Sequence, residues 1–233
     1  YYMGRGDPAP ETLGDAMLRS IGPFLLLGLL FVAVPAQGQV VVIPPNPYIE
    51  AEVATPGPLS LFCLPDGGGF PFTEALDPTG MQVDGTLTIV LWSDMPPWGD
   101  PVPDYPREDM WLMDEAGDLA LCAGGSLPDD DTDAQGRAFW TGTLNMGGTF
   151  EPGGANRLAV FVNGWELNSP GLDELRFNSA DFDGNRTVNL TDVVIFTEGY
   201  FGPYDYAYDF RYDGRVNLSD LALMAAAVGA ACP

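Results

Sequence analysis

Two twelve-residue stretches of this chain carry oxygen-bearing side chains at the spacing a hard cation needs. Residues 181–192 read Asp-Phe-Asp-Gly-Asn-Arg-Thr-Val-Asn-Leu-Thr-Asp, and residues 209–220 read Asp-Phe-Arg-Tyr-Asp-Gly-Arg-Val-Asn-Leu-Ser-Asp. Both hold Asp or Asn at positions 1, 5, 9 and 12, and the second begins 28 residues after the first. Ca²⁺ takes about six to eight oxygens, and such a loop supplies them from positions 1, 3, 5, 7 (backbone), 9 (often through water) and 12. In the first loop these are Asp181, Asp183, Asn185, the Thr187 carbonyl, Asn189 and Asp192. In the second they are Asp209, Asp213, the Arg215 carbonyl, Asn217 and Asp220.

Each loop departs once from this pattern. Position 6 turns sharply and favours Gly, yet the first loop has Arg186 there, at a cost of about 1 kcal/mol if the backbone is left-handed. The second loop has Gly214 at position 6 but Arg211 at position 3, which puts a positive charge where a ligand belongs. The first site is therefore expected to bind Ca²⁺ and the second to be weak or empty. Mg²⁺ suits an all-protein oxygen loop less well than the larger ion.

The elements around the loops follow from the pattern. Short helices are expected at Val193–Gly199 and Leu221–Val228, with Thr191 and Ser219 as N-caps and Asp192 and Asp220 near the positive helix ends. Val188 and Val216, at position 8, can pack between paired loops.

With its Val-Asn pair at positions 8–9 and Asp at position 12, the segment 181–228 resembles the duplicated repeat of dockerin modules. That resemblance implies a calcium-bound helical module that binds a cohesin-like protein. Residues at positions 10 and 11 would contribute to that contact: Leu190 and Thr191 in one repeat, Leu218 and Ser219 in the other. The competing reading is that Leu190 and Leu218 pack between the repeats.

Upstream the pattern is β-type. After Val40–Ile43, candidate strands are Tyr48–Val53, Leu59–Leu64, Gly85–Trp92, Asp109–Met113, Leu119–Cys122, Arg137–Leu144 and Arg157–Val162. Asn163-Gly164 predicts a hairpin turn into Trp165–Leu167. Gly85–Trp92 ends continuously apolar, as a strand buried on both sides would. Short strands punctuated by Gly and Pro argue for a β-sandwich. The turn chemistry of Asp131-Thr-Asp-Ala-Gln-Gly and the run Leu158-Ala-Val-Phe-Val-Asn-Gly resemble bacterial Ig-like surface domains of the invasin/intimin kind, over about residues 48–172. That resemblance implies an extracellular spacer or adhesive role. The expected fold is mainly β: an Ig-like β-sandwich at 39–177, then a small α-helical dockerin-like module with EF-hand-type loops at 178–233.

Arg19 followed by the apolar run Ile21–Val34 and the small residues Pro35–Gly38 reads as an export signal within residues 1–38, with an over-extended start before Met17. The run is short for a bilayer, so a cleaved signal and no transmembrane segment in the mature chain are expected, with an uncleaved anchor as the alternative. Export favours a disulfide among Cys63, Cys122 and Cys232. Cys63–Cys122 is the preferred pair, since both lie in apolar runs, and Cys122–Cys232 is the alternative.

The chain has 33 acidic and nine basic residues, a net charge of −24 and no His. Such a surface repels nucleic acid, and the lack of His removes His-based triads and most zinc chemistry. Trp98, on a loop, is the best exposed aromatic; Trp92, Trp111 and Trp140 are expected in the core. The reading is a secreted or cell-surface, non-enzymatic binding and assembly protein that uses Ca²⁺. Its partner would be a cohesin-like module, another surface protein or a second copy of itself. The alternatives are a carbohydrate-binding component of a polysaccharide-degrading assembly and a self-assembling surface or fibre subunit.

Overall fold

The structure, a computed structural model, describes residues 47–153 and 156–233. The expected export signal and Val40–Ile43 lie outside those residues. Among the described residues twelve strands occur in the order β1 (Tyr48–Val53), β2 (Leu59–Cys63), β3 (Ala75–Leu76), β4 (Gln82–Val83), β5 (Leu87–Trp92), β6 (Met110–Asp114), β7 (Leu119–Leu121), β8 (Arg137–Trp140), β9 (Met146–Gly148), β10 (Leu158–Val162), β11 (Trp165–Leu167) and β12 (Leu175–Ser179). Two α-helices follow, α1 (Leu190–Tyr200) and α2 (Leu218–Ala227).

The strands form four small sheets among the described residues: β1-β5-β8, β11-β10-β6, β12-β2-β3-β4 and β7-β9. In β5 alternate residues turn inward: Leu87, Ile89 and Leu91 are buried, while Thr88, Val90 and Trp92 are half-exposed. The period-2 pleat thus gives β5 one core face, not the two expected. Asn163 and Gly164 both have positive φ, 48° and 83°. That is the backbone of a tight two-residue hairpin turn, and it joins β10 to β11 with Val162 opposite Trp165.

The expected Ig-like sandwich followed by a small helical module is not what the chain forms. Among the described residues the sheets are several and small, and the α-helices number two. β12 pairs in parallel with β2, Leu175 opposite Leu59 through Ser179 opposite Cys63. This parallel pair joins the start of the β region directly to the strand that leads into the first loop. All five residues of β2 are buried. Leu59, Leu61 and Cys63 face the main core with Phe72, Leu87, Trp140, Phe150 and Phe177. Phe62, together with Leu64 just beyond the strand, joins a second cluster with Val188, Phe196, Phe210 and Met224. Ser60 shares a 2.9 Å hydrogen bond with the Tyr206 hydroxyl.

The helices and loops are therefore the cover of β2's second face. Separating them would expose Phe62 and Leu64 and lose about 3–6 kcal/mol of apolar burial. The described residues accordingly fall within one compact unit.

Cys122 is bonded to Cys232, across 110 residues. Cys63 is free and buried, which corrects the preferred pairing. Its side chain points into the main core, and burial pushes its thiol up to about 12. No helix among the described residues is long and apolar enough to cross a membrane.

Candidate metal centre

The first loop leaves β12 and enters α1. Asp181, its first residue, is fully buried. Its Oδ1 accepts from the Asn185 N–H at 3.1 Å and its Oδ2 from the Arg186 N–H at 2.8 Å. Asp192, also fully buried, closes the loop: Oδ1 accepts from the Phe182 N–H at 2.8 Å and Oδ2 from the Asn189 N–H at 2.8 Å. Asp183 is exposed. One of its oxygens accepts from the Asn185 N–H and the other from Asn185 Nδ2, at 3.1 and 2.9 Å.

These bonds turn three carboxylates toward one point. One oxygen each from Asp181, Asp183 and Asp192 lies within 4.8 Å of the others. Among the described residues the one ion pair is Arg176–Glu151, so no Arg offsets this cluster. Burial pushes the Asp181 carboxyl up to about 6; the Arg186 N–H opposes the shift, and Asp192 and Asp183 add to it. Three close carboxylates that pair with no Arg among the described residues form a donor set that a hard divalent cation satisfies.

Helix entry explains the remaining oxygens. The N-caps are Asn189 and Asn217, not Thr191 and Ser219. Asn189 Oδ1 accepts from the Thr191 N–H at 2.8 Å, and Asn217 Oδ1 from the Ser219 N–H at 2.9 Å. Asp192 and Asp220 complete capping boxes. Asn caps better than Thr, so both helices begin nearly a turn earlier than expected. A capping Asn189 is suited to reach a cation through water. The Thr187 carbonyl accepts from Asn189 Nδ2 at 3.1 Å.

The second loop repeats this backbone. Asp209 accepts from the Asp213 N–H at 3.2 Å and the Gly214 N–H at 2.8 Å. Asp220 accepts from the Arg211 and Asn217 N–H groups at 3.0 and 2.9 Å. Both loops are left-handed at positions 4 and 6: Gly184 and Arg186 have φ of 66° and 68°, Tyr212 and Gly214 51° and 77°. Each loop thus places glycine at one of the two strained positions, in opposite order.

The side chains differ. The Arg211 guanidinium lies 5.7 Å from the centre of the Phe70 ring, a cation–π contact. The Tyr204 hydroxyl donates to Asp209 Oδ2 at 3.0 Å. Burial and the Asp209 charge push the Tyr204 phenol up, so it remains a donor. Asp213 Oδ1 accepts from the Arg215 N–H at 3.1 Å. Among the described residues only the first loop gathers three acidic side chains.

Two neighbours of the first loop were not evident in the sequence. Gly148 donates its N–H to the Asp181 carbonyl at 2.8 Å, and Gly147 lies against the Asp181 carboxylate. The Gly147-Gly148 pair in β9 was the available signal. On the other side the C-terminal tail pairs with the loop: the Val188 N–H donates to the Ala230 carbonyl at 2.8 Å, and the Gly229 N–H to the Val188 carbonyl at 2.9 Å. Val188 is buried and Val216 half-buried at the edge of the same cluster, so position 8 of the first loop is paired with the tail. A groove of about 500 Å³, lined in part by Asp118, Phe182, Asp183 and Tyr208, opens beside the loop.

The expected partner residues are at the surface. Leu190 is 77% and Leu218 71% exposed, and Thr191 and Ser219 are exposed too; neither leucine packs between the repeats. Trp98 is 79% exposed and Trp140 buried, while Trp92 and Trp111 are half-buried. A scan against protein-family models and searches of curated proteins and of solved structures find no match to this chain.

Proposed function

We propose that this chain is an exported, non-enzymatic binding protein whose first loop takes one Ca²⁺ and, when loaded, holds α1 in place to present a protein-binding surface. The observation that carries this reading is the convergence of Asp181, Asp183 and Asp192 within 4.8 Å without a pairing Arg among the described residues. Asp181, Asp183 and Asp192 would be direct ligands, with Asn185 and the Thr187 carbonyl beside them and Asn189 acting through water. The bound ion supplies positive charge to a carboxylate set that otherwise repels itself. The chain's own N–H groups hold those carboxylates in place, and Asn189 and Asp192 tie the loop to the first turn of α1.

The repeat's likeness to dockerins supports a cohesin-like or other surface protein as partner. Leu190, Thr191, Leu218 and Ser219, exposed at the two helix starts, are the residues proposed to touch it. The apolar run after Arg19 supports export. A second reading, saccharide binding, is favoured by Trp98, an indole 79% exposed on a loop. A sugar array with Trp98→Ala as control tests it, and no wild-type binding removes it.

The primary reading is tested by thermal unfolding in Ca²⁺ and in chelator. A ligand that binds only the folded state raises stability with the logarithm of its concentration. The unfolding temperature should rise with Ca²⁺ in the wild type and stay flat in Asp183→Ala. That substitution removes an exposed ligand and leaves the buried Asp181 and Asp192 scaffold intact. Equal behaviour of the two proteins would reject the proposal.

A further inference from the structure

The C-terminal tail makes a short antiparallel ladder with the first loop. Besides the two Val188 bonds, the Cys232 N–H donates to the Arg186 carbonyl at 3.2 Å, and Ala231 is bridged to Thr187. The tail thus grips positions 6 to 8: the left-handed Arg186, the carbonyl-bearing Thr187 and the buried Val188. Left-handed backbone at a non-glycine residue persists only where its surroundings hold it. The tail's last link is covalent, because Cys232 is bonded to Cys122.

Cys122 follows β7, and its N–H donates to the Asn145 carbonyl at 2.9 Å. β7 pairs with β9, Leu121 opposite Met146 and Leu119 opposite Gly148. β9 in turn carries Gly147 and Gly148 against Asp181. The first loop is therefore held between β9 on one side and the tail on the other, and the disulfide connects those two supports. The second loop has no comparable bond to the tail among the described residues.

We infer that the Cys122–Cys232 disulfide is a positioning element of the first loop: it keeps the tail on residues 186–188 and so sets the loop's affinity for divalent cation. This rests on the calcium reading above. Releasing the tail lets the loop sample shapes that do not bind, and apparent affinity falls by the fraction of molecules that remain competent. The redox step is a thiol–disulfide exchange. A dithiol reductant supplies two electrons and two protons, the Cys122–Cys232 bond opens to two thiols, and the reductant closes to its own disulfide.

The experiment compares the disulfide-bonded protein, the same protein reduced by a dithiol, and Cys232→Ser. Each is titrated with Ca²⁺ by calorimetry, and amide hydrogen exchange is followed at Val188, Gly229 and Gly214. In the reduced and Cys232→Ser proteins, Val188 and Gly229 should lose protection and Ca²⁺ should bind about tenfold more weakly, as when the competent fraction falls to about a tenth. Gly214, in the second loop, should keep its protection, which separates a local release from general unfolding. Reoxidation of the reduced protein should restore both readouts. Unchanged affinity with tail amides exposed would overturn this inference and leave the calcium reading standing. No binding even by the disulfide-bonded protein would overturn both.

Discussion

Gly147 presses its backbone against the Asp181 carboxylate, so closely that a Cβ at 147 would overlap Asp181 Oδ2. The first loop is thus docked on β9 at the residue that begins it. Asp181 cannot withdraw without losing its bonds to the Asn185 and Arg186 N–H groups. Gly147→Ala should destabilise the protein by about 1–3 kcal/mol, the usual cost of overpacking, and weaken Ca²⁺ binding. Urea unfolding and calorimetry of that variant measure the two effects.

The buried carboxylates set a pH dependence. The folded-state value for Asp181 is about 6, above its ordinary 3.8, and Asp209 and Asp220 are raised in the same direction by burial. A raised folded value adds stability below the ordinary value, and that stability is lost as pH rises through the folded one. In chelator, the unfolding temperature should fall between about pH 4 and 6. With Ca²⁺ present the fall should shrink or reverse, because the ion favours the ionised form. Below about pH 6 protons should compete with the ion and weaken binding. Thermal scans across this range, with and without Ca²⁺, check the sign.

Two side chains act against cation binding at the second loop: Arg211 at position 3 and Tyr204 just before the loop. Arg211→Asp supplies a ligand at position 3, and Tyr204→Phe removes the phenol bond from Asp209 Oδ2 while the Gly214 N–H bond to that oxygen stays. The double variant should raise Ca²⁺ stoichiometry from one to two. Calorimetry that still finds one site would mean that the second loop's failure lies in its backbone.

Phe62 links the β region to the helices: its ring lies 4.5 Å from that of Phe210, centre to centre. Phe62→Ala should cost about 3–5 kcal/mol. Wild type and variant should each unfold in one transition, seen equally by β and helical signals. Two separated transitions would contradict the shared second cluster.

The shape of the loops was legible because the residues that build it are local in sequence. Asp181, Asp183 and Asp192 sit at fixed offsets, and the Arg211 substitution could be weighed without a fold. The Asn163-Gly164 turn and Tyr48–Val53 were legible for the same reason. Contact between the two regions was legible, since Glu174-Leu-Arg-Phe-Asn runs almost directly into the first loop, but the way they join was not. β2 pairs with β12 across more than a hundred residues, and Leu-Ser-Leu-Phe-Cys reads alike whether one face or two are covered. Only the parallel pairing shows that Phe62 needs the helices. The disulfide followed the same rule: apolar surroundings suggested Cys63, but what decides pairing is which backbones meet, and the tail's ladder with the first loop brings Cys232 to Cys122. The caps failed for a local reason. Asn at position 9 offers its side-chain oxygen both to a cation and to a helix end, and Asn189 caps α1 because Asn caps better than Thr.

The most direct measurement is calorimetric Ca²⁺ titration of the metal-stripped protein beside Asp183→Ala. The expected result is one site in the wild type, absent or much weaker in the variant, with the helical signal of the variant unchanged. No binding at about 1 mM Ca²⁺, the weak end for extracellular calcium loops, would contradict the account. So would two equivalent sites, or a variant that binds as well as the wild type.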